Sequence, residues 1–258
     1  MIHSKTVPYH AVCELVRAAG DLLNLPPRSI STALVFCHRF AHTTSENFDG
    51  LDPERVASSC IFLASKVEES ALRTNDLLNA VRHLHEAALK QPGGSQPGRM
   101  WEAAADAEGI APPEGGAGMG SQSSLGEQCP VLVGDAYYVA KAQLIHDEQV
   151  LLRMLRFDIG VEQPHKYLYC FAETLKAPGV IVRLATCLVN DSLVYLQTCI
   201  SLRPEAVAAA ALHVASVVAG APLLQPEQGS WWEALGLQTE GVEKACSQLT
   251  VMLAEAYR

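Results

Sequence analysis

Apolar residues recur at threes and fours along most of the chain, the spacing of amphipathic helices. Val12, Leu15, Val16 and Ala19 share one face over residues 9–19. After the break at Leu25-Pro26-Pro27, residues 29–40 predict a second helix. Asp52-Pro53-Glu54 then combines an N-cap, a proline at the first helical position and an acid in the first turn, so a third helix starts there. Residues 73–85 supply a fourth, with Leu77, Leu78, Val81 and Leu84 on one side. A fifth runs over 135–157, with Ile145, Glu148, Leu152 and Leu155 at helical spacing, before Gly160 and Pro164 punctuate. Strand-like alternation is confined to short pieces such as residues 131–133, and aromatics make up only 6%. The fold class read from this pattern is all-α.

The third helix raises a question. Cys60-Ile61-Phe62-Leu63-Ala64 is apolar at every position, yet it runs directly into Lys66, Glu68 and Glu69. A second stretch bears on the reason. Residues 53–67 and 204–218 align without gaps, with seven of fifteen positions identical: PERVASSCIFLASKV against PEAVAAAALHVASVV. An internal duplication is the economical explanation, each copy being a central helix whose small residues allow neighbours to approach closely. Lys66 corresponds to Val217, and Glu68-Glu69 to Ala219-Gly220. The helix therefore does not need these charges to fold, which points to something outside the repeat's own core.

Between the fourth and fifth helices the composition changes. Residues 91–134 hold ten of the chain's 18 glycines and five prolines. Such a segment buries too little apolar surface to offset its ordering entropy, so a disordered insertion is expected there.

Composition narrows the function. With 258 residues and 49% apolar positions, one large core or two modest ones can form. The net charge of −9 argues against a nucleic-acid binder, which needs a basic face. The N-terminus carries no apolar secretory stretch, so an intracellular protein is expected. Residues 207–224 lack charge but are alanine-rich and broken by Gly220 and Pro222, which reads as a buried helix, with no membrane association. The eight cysteines include no Cys-x-x-Cys pair and read as buried thiols, with no metal site. His38 and His42 share a helix face and read as partly exposed. No His-Glu-x-x-His, nucleophile elbow or phosphate-binding glycine loop is present, so neither catalytic residues nor cofactors are expected.

Leu63-Ala-Ser-Lys-Val-Glu-Glu69, Glu148-Gln-Val-Leu-Leu-Arg-Met-Leu-Arg-Phe-Asp158 and the duplicated five-helix layout together resemble the cyclin family. Leu72-Arg-Thr-Asn-Asp-Leu-Leu78, Gln163-Pro-His-Lys-Tyr-Leu168 and Trp231-Trp232 most resemble the cyclin Q group of transcription-type cyclins. The resemblance implies two tandem five-helix cyclin-box repeats, residues 5–160 and 161–258, with the insertion in the first. It implies a regulatory subunit that binds and activates a cyclin-dependent serine/threonine kinase of the cdc2-related, transcription-linked type as a heterodimer. A nuclear location, shared with the cytoplasm, follows from the same likeness. Lys66 and Glu148 would meet backbone carbonyl and amide groups of the kinase, while Val67, Leu152, Phe157 and Ile159 would form a groove for a kinase helix. Glu69 is an additional candidate contact, with a solvated turn as the alternative for both Glu68 and Glu69. The first helix reads Tyr9-His-Ala-Val-Cys-Glu-Leu15 where many cell-cycle cyclins carry Met-Arg-x-x-Leu, so no substrate-docking site is carried over. Two other readings stand beside this one: a cyclin-shaped scaffold that activates nothing, and a transcription-factor core of the IIB type, which would be expected to carry a basic surface and a zinc ribbon.

Overall fold

The computed structural model describes residues 9–44, 52–90, 131–195, 198–223 and 229–256. Among these residues the chain forms eleven helices and no strand. The first five are α1 (Tyr9–Leu22), α2 (Pro27–Thr43), α3 (Pro53–Val67), α4 (Thr74–Lys90) and α5 (Gly134–Met154). The remainder are α6 (Pro164–Thr174), α7 (Gly179–Tyr195), the single turn α8 (Thr198–Ser201), α9 (Pro204–Val218), the short α10 (Trp231–Ala234) and α11 (Thr239–Ala256).

Helix α3 begins as the sequence dictates. The Asp52 carboxylate accepts the Glu54 N–H at 3.0 Å and Pro53 occupies the first turn, where its missing donor costs nothing. From Val56 to Ser65 every residue except Phe62 is buried, because α1, α2, α4 and α5 all pack around this helix. Helix α9 has the same role in the second half, its Ala206–Ala211 run enclosed by α6, α7 and α11. Two buried clusters result. One is built from α1–α5 together with Leu193 and Val194 of α7. The other is centred on α9 and includes Leu168, Ile181, Leu249 and Trp231.

The two duplicated helices end alike. Ser70 N–H bonds Ser65 O at 2.8 Å and Glu69 N–H bonds Lys66 O at 3.3 Å. In the second copy Ala221 N–H bonds Ser216 O and Gly220 N–H bonds Val217 O, both at 3.1 Å. Each is a Schellman ending, and each places its next residue in the left-handed region: Glu69 at φ 52° and Gly220 at φ 62°.

Four expectations are amended. The bulk of the glycine- and proline-rich segment, residues 91–130, lies outside the described residues, but its predicted end belongs to the fold. Leu132 is buried and its N–H bonds Asn79 Oδ1 at 2.8 Å, so residues 131–133 lead into α5. Helix α5 stops at Met154, with Arg156 and Phe157 both left-handed, so Phe157 is outside the helix. His38 is buried rather than partly exposed, because its Nε2 meets Leu193 O at 2.6 Å and α7 covers it, while His42 is exposed. Among the cysteines, Cys13, Cys37 and Cys60 are buried, but Cys170 and Cys187 lie on outward faces of α6 and α7, and Cys129 is outside the described residues. No helix among the described residues is long and apolar enough to cross a membrane.

Candidate partner-binding site

The charged end of α3 meets α5. Lys66 Nζ donates to both carboxylate oxygens of Glu148, each at 2.7 Å, across 82 residues of sequence. The partners differ in exposure: the Lys66 side chain is 52% exposed and that of Glu148 only 10%. Phe62, one turn earlier on α3, places its ring 4.1 Å from the ammonium, so a cation–π contact holds the lysine from below. Glu148 has a neighbour with a matching task. Asp147 takes the Arg55 guanidinium in a bidentate pair, with Nε at 2.8 Å from Oδ2, so adjacent carboxylates on α5 grip the two ends of α3. Burial by itself would raise the Asp147 carboxyl, but Arg55 and Gln143 outweigh it and hold it below the ordinary carboxylate range.

The apolar candidates fall along the same end of α5. Val67 and Leu152 are half-buried and pack against the first core. Phe157 is 68% exposed and Ile159 is 39% exposed. The chain turns sharply to present them: Phe157 N–H bonds Leu152 O at 2.9 Å, Asp158 N–H bonds Leu155 O at 3.0 Å, and Ile159 N–H bonds Phe157 O at 3.1 Å. Glu69 is exposed at the left-handed residue following α3. The end of α3 thus meets Glu148 through Lys66, with Val67 next to Lys66 in sequence, Leu152 one turn beyond Glu148 on α5, and Phe157 and Ile159 on the turn that continues α5.

Sequence reasoning missed several residues here. Glu68 is not a solvated turn residue: its side chain is 9% exposed, accepting from Arg28 Nε at 2.6 Å and from Thr32 Oγ1 at 2.7 Å. Gln163 joins the same cluster, donating through Nε2 to Arg28 O and Thr32 Oγ1, each at 2.9 Å. Arg39 donates to the carbonyls of Asp158 and Gly160 at 2.9 and 3.0 Å. Only Phe62 left a sequence signal, its spacing of one helical turn from Lys66. In the other contacts the bonded residues lie 36 to 135 positions apart, where no local pattern links them.

The family model described as cyclin, N-terminal domain, matches residues 11–91, which contain most of α1, all of α2–α4, and Lys66. The chain carries a cyclin N-terminal domain. Its relatives include human Cyclin-L1, 28% identical over 236 residues, covering 91% of this chain and 37% of that protein. Mouse Cyclin-L2 is 28% identical over 92% of this chain and 38% of its own length. Rice Cyclin-L1-1 (Oryza sativa subsp. japonica) is 29% identical over 92% of this chain and 46% of its own. The chain therefore spans less than half the length of these curated relatives. Among solved structures, the crystal structure of the yeast RNA Pol II CTD kinase CTDK-1 complex superposes with a TM-score of 0.59 at 15% identity, over 93% of this chain and 63% of that one. The CAK complex from Chaetomium thermophilum bound to ATP-gamma-S gives 0.52 at 16% identity, over 81% and 51%. At these identities the likeness is one of fold, and the fold is that of a cyclin.

Proposed function

We propose that this cyclin-fold chain is the regulatory, non-catalytic subunit of a cyclin-dependent serine/threonine kinase, binding it as a heterodimer and favouring its active conformation. Residues 5–160 and 161–258 are its two cyclin boxes. Acting in the control of transcription or the cell cycle, it works in the nucleus with a cytoplasmic share, and its partner is of the cdc2-related, transcription-linked type. Both the Cyclin-L relatives and the kinase complexes among the fold matches support this choice, and cyclin Q remains the group it is proposed to stand nearest.

The observation that carries the reading is the half-exposed Lys66 ammonium fixed by Glu148. An ammonium has three donors. Two are taken by the carboxylate oxygens, which leaves the third for a backbone carbonyl of a partner. Glu148, with two lone pairs on each oxygen, keeps acceptor capacity for a partner amide. Val67, Leu152, Phe157 and Ile159 supply apolar surface beside the pair, suited to one face of an amphipathic helix. A partner helix seated there in one orientation only gives differential binding to that state, and a population shift of the kinase follows. The second repeat has Val217 where the first has Lys66, so the polar corner belongs to the first box alone.

The test compares the tagged wild type with Lys66→Glu, which sets two carboxylates against each other. Each is isolated from cell extract, its bound proteins are identified by mass spectrometry, and kinase activity is assayed. A kinase recovered with the wild type and lost in a variant of unchanged helicity supports the reading. Recovery of no kinase by a folded wild type overturns it in favour of a non-activating scaffold.

A further inference from the structure

Phe157 is held in an unfavourable place. It is 68% exposed, and both it and Arg156 adopt left-handed backbone, at φ 58° and 54°. Two consecutive non-glycine residues in this region are costly, and an exposed phenyl ring gains by folding onto the protein. Backbone hydrogen bonds from Phe157 to Leu152 and from Asp158 to Leu155 hold the turn locally against this cost. Two anchors on α2 oppose relaxation. Arg39 forks to the carbonyls of Asp158 and Gly160, at 2.9 and 3.0 Å, and approaches the Asp158 carboxylate at 3.5 Å. Farther along, Gln163 is fixed to Thr32 and the Arg28 carbonyl. The guanidinium is planar, with its donors in a rigid fork, so it sets the orientation of two peptide planes at once, which a lysine does not.

We infer that Arg39 is a positioning residue for partner binding: it clamps the Phe157–Ile159 turn in the conformation that presents these two side chains to the apolar face of a partner kinase helix. The inference rests on the kinase reading above. Arg39 contributes through pre-organisation, because a turn already fixed loses little freedom on binding. It acts through Phe157 and Ile159 and is distinct from the Lys66–Glu148 pair.

Two measurements on the full chain test it, using Arg39→Met, which keeps the aliphatic stem and removes the fork. The first is amide hydrogen exchange at residues 157–159, whose N–H groups are all bonded within the turn. Exchange is expected to quicken about tenfold there, with α3 unchanged, as the turn opens locally. Unchanged exchange overturns the clamp. The second is affinity for purified catalytic subunits of a panel of cyclin-dependent kinases. Binding is expected to weaken about tenfold, through faster dissociation, at nearly unchanged thermal midpoint. Adding Phe157→Ala to Arg39→Met is expected to cost no further affinity, since residues acting through one contact are not additive. Full additivity, or wild-type affinity in Arg39→Met, overturns the positioning role. Should no subunit in the panel bind wild type, the kinase reading fails, while hydrogen exchange still decides whether Arg39 holds the turn. Arg39→Lys, with one donor group in place of the fork, carries the same test if Arg39→Met does not fold.

Discussion

At the Lys66–Glu148 pair the two single substitutions are expected to differ. Glu148→Gln leaves a half-exposed ammonium that water can solvate, and costs at most about 1 kcal/mol of stability. Lys66→Met instead strands a carboxylate that is only 10% exposed, at a cost of about 1–3 kcal/mol. Urea denaturation of the two variants checks the order, and equal costs would contradict the burial asymmetry. His38 gives a pH dependence. Burial lowers its pKa, although the Leu193 carbonyl opposes the shift, so the folded imidazole stays neutral where the unfolded one takes a proton. Below about pH 6.5 the unfolded state then binds the extra proton, and stability falls as pH falls. His85 opposes this trend, since the Glu54 carboxylate 3.8 Å from its Nδ1 raises its pKa against the lowering effect of burial, and the stability it contributes is lost as pH rises. Thermal midpoints at pH 5 and pH 7 for wild type and His38→Gln isolate the first effect: the acid-side loss is expected to shrink in the variant, and an identical loss in both would assign it elsewhere.

At the scale of elements, the two copies of the central helix provide an internal control. Glu69 and Gly220 occupy the same left-handed position after α3 and α9, but only Gly220 is free of a Cβ penalty. Glu69→Gly is expected to stabilise the fold by about 0.5–1 kcal/mol, and Gly220→Ala to destabilise it by about 1 kcal/mol although open space surrounds the new methyl group. Chemical denaturation of both variants reads these opposite signs. The helix pair α1–α2 is limited by contact instead of torsion. A Cβ at Gly20 would come within 2.7 Å of Ile30 Cγ1, so Gly20→Ala is expected to cost about 1–3 kcal/mol by overpacking, and restoring the volume with Ile30→Val in the same chain should recover part of it.

Over the whole molecule, the two cores are not independent. Leu193 and Val194 belong to α7 yet complete the first core, and both Arg17–Asp191, at 2.9 Å, and His38–Leu193, at 2.6 Å, cross between the halves. Unfolding is therefore expected as one transition. In a Trp101→Phe background, fluorescence of Trp231 and Trp232 reports the second core, and far-UV circular dichroism reports all helices. The two signals should coincide on heating. Leu193→Ala empties a side chain that is 1% exposed and is expected to cost about 2–4 kcal/mol, lowering both signals together. Separate midpoints in the wild type would show that the halves fold on their own.

Much of the fold was legible because its determinants are local. The three-and-four spacing placed α1–α5, the Asp52-Pro53-Glu54 cap started α3 at the right residue, and the repeat identified α3 and α9 as equivalent central helices. By comparing Lys66 with Val217, the sequence also marked the charged corner as surplus to folding. Lys66, Glu148, Val67, Leu152, Phe157 and Ile159 could be put forward as contact candidates from the resemblance to cyclins. Their arrangement could not. Pairing Lys66 with Glu148, burying Glu68 between Arg28 and Thr32, and bonding Arg39 to the carbonyls of Asp158 and Gly160 all depend on contacts between segments far apart in sequence. His38 was misjudged for the same reason: its own helix would leave it partly exposed, and only α7, arriving from the second repeat, covers it. Helical periodicity and capping are written in neighbouring residues, whereas burial and partner choice are set by which faces the folded chain brings together.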